Sequence, residues 1–166
     1  MLVGTQALIA LALATPIAIW AAWSDMATMK IPNKAVLALA AVFLASGPFL
    51  LPWNAYLWGL GILGITLIIG FVLSSIGMVG AGDAKLATAM APFFVGGDVA
   101  VIMFLVAACM IGALILHRIA KGIGPIRRAT ENWASWSAGR YFPFGLALSA
   151  MLVIYLALMG TIGAAV

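Results

Sequence analysis

Charge is what this chain has least of. Only 7% of its 166 residues are charged, and only four are acidic: Asp25, Asp83, Asp98 and Glu131. A water-soluble domain of this length needs a polar surface that so few charges cannot supply. Cysteine and histidine are almost missing too, with Cys109 and His117 the single copies of each. A lone cysteine forms no internal disulfide. One Cys and one His fall short of the three protein ligands that a zinc hydrolase site takes, so no metal and no cofactor are expected. A Ser-His-Asp hydrolase would have to rest on His117 alone. Cys109, in mid-run, reads as a small apolar packing residue. Lys and Arg are absent from the first six residues, so the positive start of a secretory signal is missing. The apolar stretch that follows, to Trp23, is expected to remain as a first span.

What the chain does have is apolar length. At 66% hydrophobic it carries runs long enough to cross a bilayer, which takes ~20 residues per helix. The expected fold is all-α, one polytopic transmembrane domain over residues 1–166 with about six helices, at roughly 4–24, 35–52, 56–78, 84–96, 98–117 and 142–164. Pro32 disfavours helix at Ile31, and Asn33 is placed to cap the second helix. Pro52-Trp53-Asn54, Gly80 to Gly82 and Gly96-Gly97-Asp98 supply further breaks. Gly59 to Gly64 matches a dinucleotide-binding string, but no strand precedes it. Its glycines, like Gly70 with Ser74 and Ala108 with Gly112, read as small residues for close helix packing.

With six spans, all eight basic residues fall on one side: Lys30, Lys34, Lys85, Arg118, Lys121, Arg127, Arg128 and Arg140. The positive-inside rule then sets the amino terminus outside and the loops at 25–34, 79–85 and 118–141 in the cytoplasm. Five spans would break that pattern. Asp25 and Asp83, 58 positions apart, therefore share the cytoplasmic face, whereas Asp98 falls on the other side as a turn residue. The basic segment 118–140, with Trp133 and Trp136, reads as a surface segment on anionic lipid.

Carboxylates are expensive in so apolar a chain and point to function. Two of them sharing one proton can hydrolyse a peptide bond. The ionised one draws a proton from water and the protonated one polarises the carbonyl. Asp25 would end span one, where the helix dipole disfavours negative charge. Asp83 would begin span four, where the dipole favours it. Asp83 is accordingly expected to be the more acidic partner and Asp25 the holder of the shared proton. Gly80 and Gly82 are expected to allow unusual backbone angles and close approach of a substrate chain. Lys85 could hold substrate or tune the acid, or simply snorkel.

The string from Asp25 to Lys30-Ile31-Pro32-Asn33 resembles the first aspartate motif of the prepilin peptidases. Gly80-Ala81-Gly82-Asp83-Ala84-Lys85 is similar to their second motif, Gly-x-Gly-Asp-x-Lys. Phe142-Pro143-Phe144-Gly145 resembles a weaker third signature at the start of the last span. The resemblance implies an aspartyl endopeptidase of the bacterial inner membrane that removes a short basic leader from type IV prepilins or pseudopilins just before their apolar helix. Asp25 and Asp83 would be its catalytic pair. Gly80, Gly82, Lys85, Pro32 and Asn33 would shape the site or bind substrate. With no added methyltransferase segment and one cysteine, the chain looks like the short, peptidase-only branch of Flp-type tight-adherence pili. It departs from that branch in having only Lys30 as a basic residue between Asp25 and Ile31, and Leu146 stands where larger members often have a second proline. The expected partners are such precursors and membrane lipid, with no nucleic acid. Two other classes stay open. One is a small proton-coupled transporter using the aspartates as relays, although both map to one surface rather than the midplane. The other is a Ser/Lys hydrolase using Ser74 or Ser75 with Lys85.

Overall fold

The computed structural model describes residues 1–139 and 142–162. Arg140 of the basic set, and residues 163 and 164 of the expected last span, lie outside the described residues. The chain is all-helical: α1 (Thr5–Thr28), α2 (Asn33–Leu50), α3 (Trp53–Ser75), α4 (Ala81–Met90) continued by a 3₁₀ turn (Ala91–Phe94), α5 (Val99–Gly122), a short α6 (Gly124–Ala129), a 3₁₀ turn (Ala134–Trp136) and α7 (Phe144–Ile162). Five of these, α1, α2, α3, α5 and α7, are long and apolar enough to cross a membrane.

The expected fourth span differs from the others. α4 with its 3₁₀ turn rises only about 23 Å, short of the ~30 Å of a bilayer's apolar core. The break comes at Ala91-Pro92, because proline removes an N–H from the α ladder. The segment still runs the length of α3 in the opposite direction. Gly70 of α3 lies against Ala84, and Val95 and Gly96 share a cavity with Asn54 and Trp58 at the start of α3. Residue 96 thus reaches the end of the bundle where Met1 lies.

α1 and α7 form the centre. On α1 a seam of alanines at positions 7, 10, 14, 18 and 21 is wholly buried. Small side chains let helix backbones approach closely where no hydrophobic effect drives them together. The pair is antiparallel: the Gly4 N–H donates to the Met159 carbonyl, and Leu8 fills the space above Gly160. The seam continues, four residues beyond Ala21, to Asp25, so the alanine register alone turns that carboxylate inward. α5 packs on α7 as well, through a buried stripe of Leu105, Cys109, Ala113 and His117.

Small residues were expected at helix contacts, and some are there. A methyl on Gly59 would strike Phe43, and one on Gly70 would press on Ala84. Gly61, Gly64 and Gly112 have open space around them instead. Asp98, at the end opposite Asp25, caps α5, its Oδ1 accepting from the N–H groups of Ala100 at 2.7 Å and Val101.

Candidate active site

Asp25 lies in the last turn of α1 and Asp83 in the first turn of α4. Those are the helix ends the sequence assigned them. The two line the same two adjoining cavities, of about 330 and 570 Å³. One is walled by Lys30, Ile31, Asn33, Gly82 and Lys85. The other opens between Met78, Val79, Ala138 and Phe142. Asp25 is only 5% exposed, so its surroundings must hold it in polar contact. The Gly145 N–H at the start of α7 does so, donating to Asp25 Oδ2 at 2.7 Å.

Asp83 sits beyond the five spanning helices, at the end of the bundle where Lys30, Lys34 and Lys85 gather. Burial and, second, the negative charge of Asp25 push its carboxyl up from the ordinary 3.8 to about 6. The helix N-terminus therefore does not keep Asp83 at ordinary acidity. Folding then favours the protonated form. The stability linked to that proton is complete below pH 3.8 and is lost as pH rises through about 6. An Asp83→Asn variant should accordingly melt higher than wild type at pH 8. The gain should shrink toward zero as the pH is lowered past 4, a comparison that thermal unfolding in detergent reads directly.

The glycines work differently from the expectation. Neither Gly80 nor Gly82 has a positive φ; the positive-φ glycines among the described residues are Gly4, Gly77, Gly96 and Gly139. At Gly80 the missing Cβ is what counts: one built there would stand 2.7 Å from Asp83 Oδ2. At Gly82 a Cβ would touch Ile31 Cβ at 3.5 Å, so this glycine seats the α1–α2 connection on α4. Asn33 does not cap α2 through its side chain; Pro32 holds the N-cap position. The Asn33 Oδ1 accepts from Lys85 Nζ at 3.1 Å instead. That bond ties the Ile-Pro-Asn string to the Gly-x-Gly-Asp-x-Lys string across 52 positions.

Two contributors were quoted within motifs but not singled out. Ile31 wedges between Gly82 and Gly145, and Gly145 touches both Ile31 and Asp25. The signal was present in the Pro-aromatic-Gly string, but nothing local says which group its N–H would meet. Ser74 and Ser75 do share a cavity with Lys85. The Ser75 hydroxyl, however, donates to the Phe71 carbonyl, and the Lys85 ammonium is engaged by Asn33. Among the described residues no three His, Cys, Asp or Glu side chains gather where they could hold a metal ion.

The basic segment is only partly the surface element expected. α6 is exposed, but Ser135 and Trp136 are buried. Trp136 stacks on His117 at 4.9 Å and Trp133 meets Trp23 edge-on at 4.9 Å. These contacts fold the segment back over the bundle end beside the carboxylates.

A bundle of apolar helices with two carboxylates meeting at one end defines a polytopic membrane protein with hydrolytic potential. The type IV leader peptidase family model matches residues 12–117, well over half the chain, and the chain belongs to that family. The match includes Asp25 and Asp83 and stops before α7. No curated protein and no solved structure matches the chain. The family makes the protein a protease, with prepilin-type precursors as its general class of substrate.

Proposed function

We propose that the protein is an aspartyl endopeptidase that cuts the basic leader from Flp-type pilin precursors at the cytoplasmic face of the bacterial inner membrane, with Asp25 and Asp83 as its catalytic pair. The observation that carries this is the convergence of both carboxylates on the same pair of cavities. Asp25, ionised, takes a proton from water as the water oxygen attacks the scissile carbonyl carbon. Asp83, pushed up to about 6 by burial and the Asp25 charge, gives the shared proton to the carbonyl oxygen, the reverse of the roles expected from the helix ends. Asp25 Oδ2 is already committed to Gly145, which leaves Oδ1 for the proton of the water. The tetrahedral diol then collapses: the C–N bond breaks, the proton gained by Asp25 passes to the leaving nitrogen, and one diol hydroxyl returns its proton to Asp83.

Orientation rests on charge. The described basic residues gather at the carboxylate end, and basic loops stay in the cytoplasm. The alkaline limb of kcat/KM should fall as pH rises through about 6, where Asp83 gives up the shared proton and the dyad loses its acid. The direct test is co-expression with a Flp-type pilin precursor and mass measurement of the product. Loss of the leader as one fragment, cut just before the apolar segment, is the expected result. An unchanged precursor mass overturns the substrate assignment.

A further inference from the structure

α2 and α3 are joined by two residues, yet they do not lie side by side. They touch near their connection, where Phe43 covers Gly59 and the Tyr56 ring covers Gly47. Beyond that level they spread apart, and α4 forms the floor between them. The result is a V-shaped cleft of about 360 Å³. Its α2 wall presents Asn33, Val36, Leu37 and Ala40, one face of a helix at i, i+3, i+4 and i+7 spacing. Leu63 and Leu67 form the other wall. The wall from Asn33 to Ala40 rises about 10 Å, two turns of helix.

The cleft is open on the outer side, toward the surroundings of α2 and α3, and at one end. That end is the carboxylate site: Asn33 and Lys85 line both the cleft and the cavity holding Asp25 and Asp83. Two paths therefore leave the carboxylates. One runs past Gly80 and Met78 toward Ala138, and it is polar as well as apolar, with the two carboxylates and, among the described residues, no Lys or Arg in its lining. The other is this almost wholly apolar cleft, with the Lys85–Asn33 hydrogen bond at its mouth. A chain with its scissile bond between the carboxylates has polar residues on one side of the cut and apolar residues on the other. The two exits match that asymmetry.

We propose that the cleft between α2 and α3 receives the apolar helical segment that follows the scissile bond of the substrate, which enters sideways from the bilayer. This rests on the leader-peptidase reading above. About two turns of the segment would lie against Val36, Ala40 and Leu63 in place of lipid. Lys85 and Asn33 at the mouth would offer polar contacts where the segment gives way to the extended, scissile stretch.

The test separates the cleft from the chemistry. Ala40→Phe fills the cleft, and Ile68→Phe adds the same ring to an exposed face of α3 outside it. With purified protein and a Flp-type precursor, Ala40→Phe should raise KM by ~10-fold or more, and Ile68→Phe should leave it unchanged. Equal KM values in both variants, or a loss confined to kcat in Ala40→Phe, overturn the proposal while wild-type cleavage keeps the peptidase reading. In parallel, a photo-crosslinking amino acid replaces Leu37 in the Asp83→Asn background, and the same precursor is added in liposomes. Adducts mapping to the apolar segment of the precursor support the cleft. Adducts only to lipid, or only to a second copy of the chain, overturn it. This arm reads out even where no wild-type cleavage occurs, the result that would count against the peptidase reading itself.

Discussion

Asp25→Asn and Asp83→Asn should each lower leader removal by about 10³-fold or more, the scale set by positioned general acid–base groups. Both changes keep the shape of the side chain and remove only its capacity to exchange a proton. At Asp83 the amide has no acidic proton to give the carbonyl oxygen. At Asp25 it can still accept the Gly145 N–H, so the buried contact survives while the base for the attacking water is lost. Because the pair acts as one unit, the double variant should be no slower than the worse single one. The measurement is precursor turnover by mass, normalised to variant protein in the membrane. Asp83→Asn should accumulate at least as well as wild type, since it removes a buried charge. Full processing by either variant would sink the aspartyl assignment.

Gly145→Ala should be the next most damaging change, although it alters no chemical group. A methyl there would stand 2.8 Å from Ile31 Cδ1 and 2.9 Å from Asp25 Oδ2. The Ile31 tip can swing aside, but Asp25 is buried at the end of the alanine seam and is hydrogen-bonded to the very residue that gains the methyl, so the shift falls on the carboxylate. Either α7 backs away and the N–H bond to Asp25 lengthens, or the carboxylate rotates. A misplacement of about 1 Å at a reacting group costs ~10² in rate, and overpacking of this kind destabilises by about 1–3 kcal/mol. kcat should fall by that factor with KM for the precursor little changed, because Gly145 lies on the carboxylate side and outside the apolar cleft. Gly64→Ala, in open space on α3, is the matched control and should leave both constants as they are. A Gly145→Ala protein with wild-type kcat would show that the N–H bond does not position Asp25 for the reaction.

Much of this was readable along the chain. Hydropathy marks each apolar run because burial in a bilayer is decided locally, one helix at a time. Five runs became long helices near the expected places. The fourth did not, since Pro92 and the 3₁₀ turn shorten it, and a hydropathy count does not distinguish a short composite rod from a full span. Asn33 was expected to cap its own helix, and it instead accepts from a lysine on another. Short-range propensity favours the cap, but it has no means of weighing a partner that folding brings from 52 residues away. Gly80 and Gly82 were singled out for backbone freedom, yet neither has a positive φ, and it is at Gly80 that the absent Cβ matters.

Composition and charge by themselves determined that the chain lives in a membrane, that its basic residues gather at one end, and that Asp25 and Asp83 belong to that end. Each of those follows from the cost of placing a charge in hydrocarbon, a property of single residues. Tertiary structure alone decided that Gly145, 120 positions away, grips Asp25. It also decided that Ile31 keys three helices together, and that α2 and α3 part to leave an apolar cleft at the door of the carboxylates. Those features depend on how close two backbones can come, and that distance is set by small residues on opposite helices, Ala21 and Gly145 among them, which no single stretch of sequence contains.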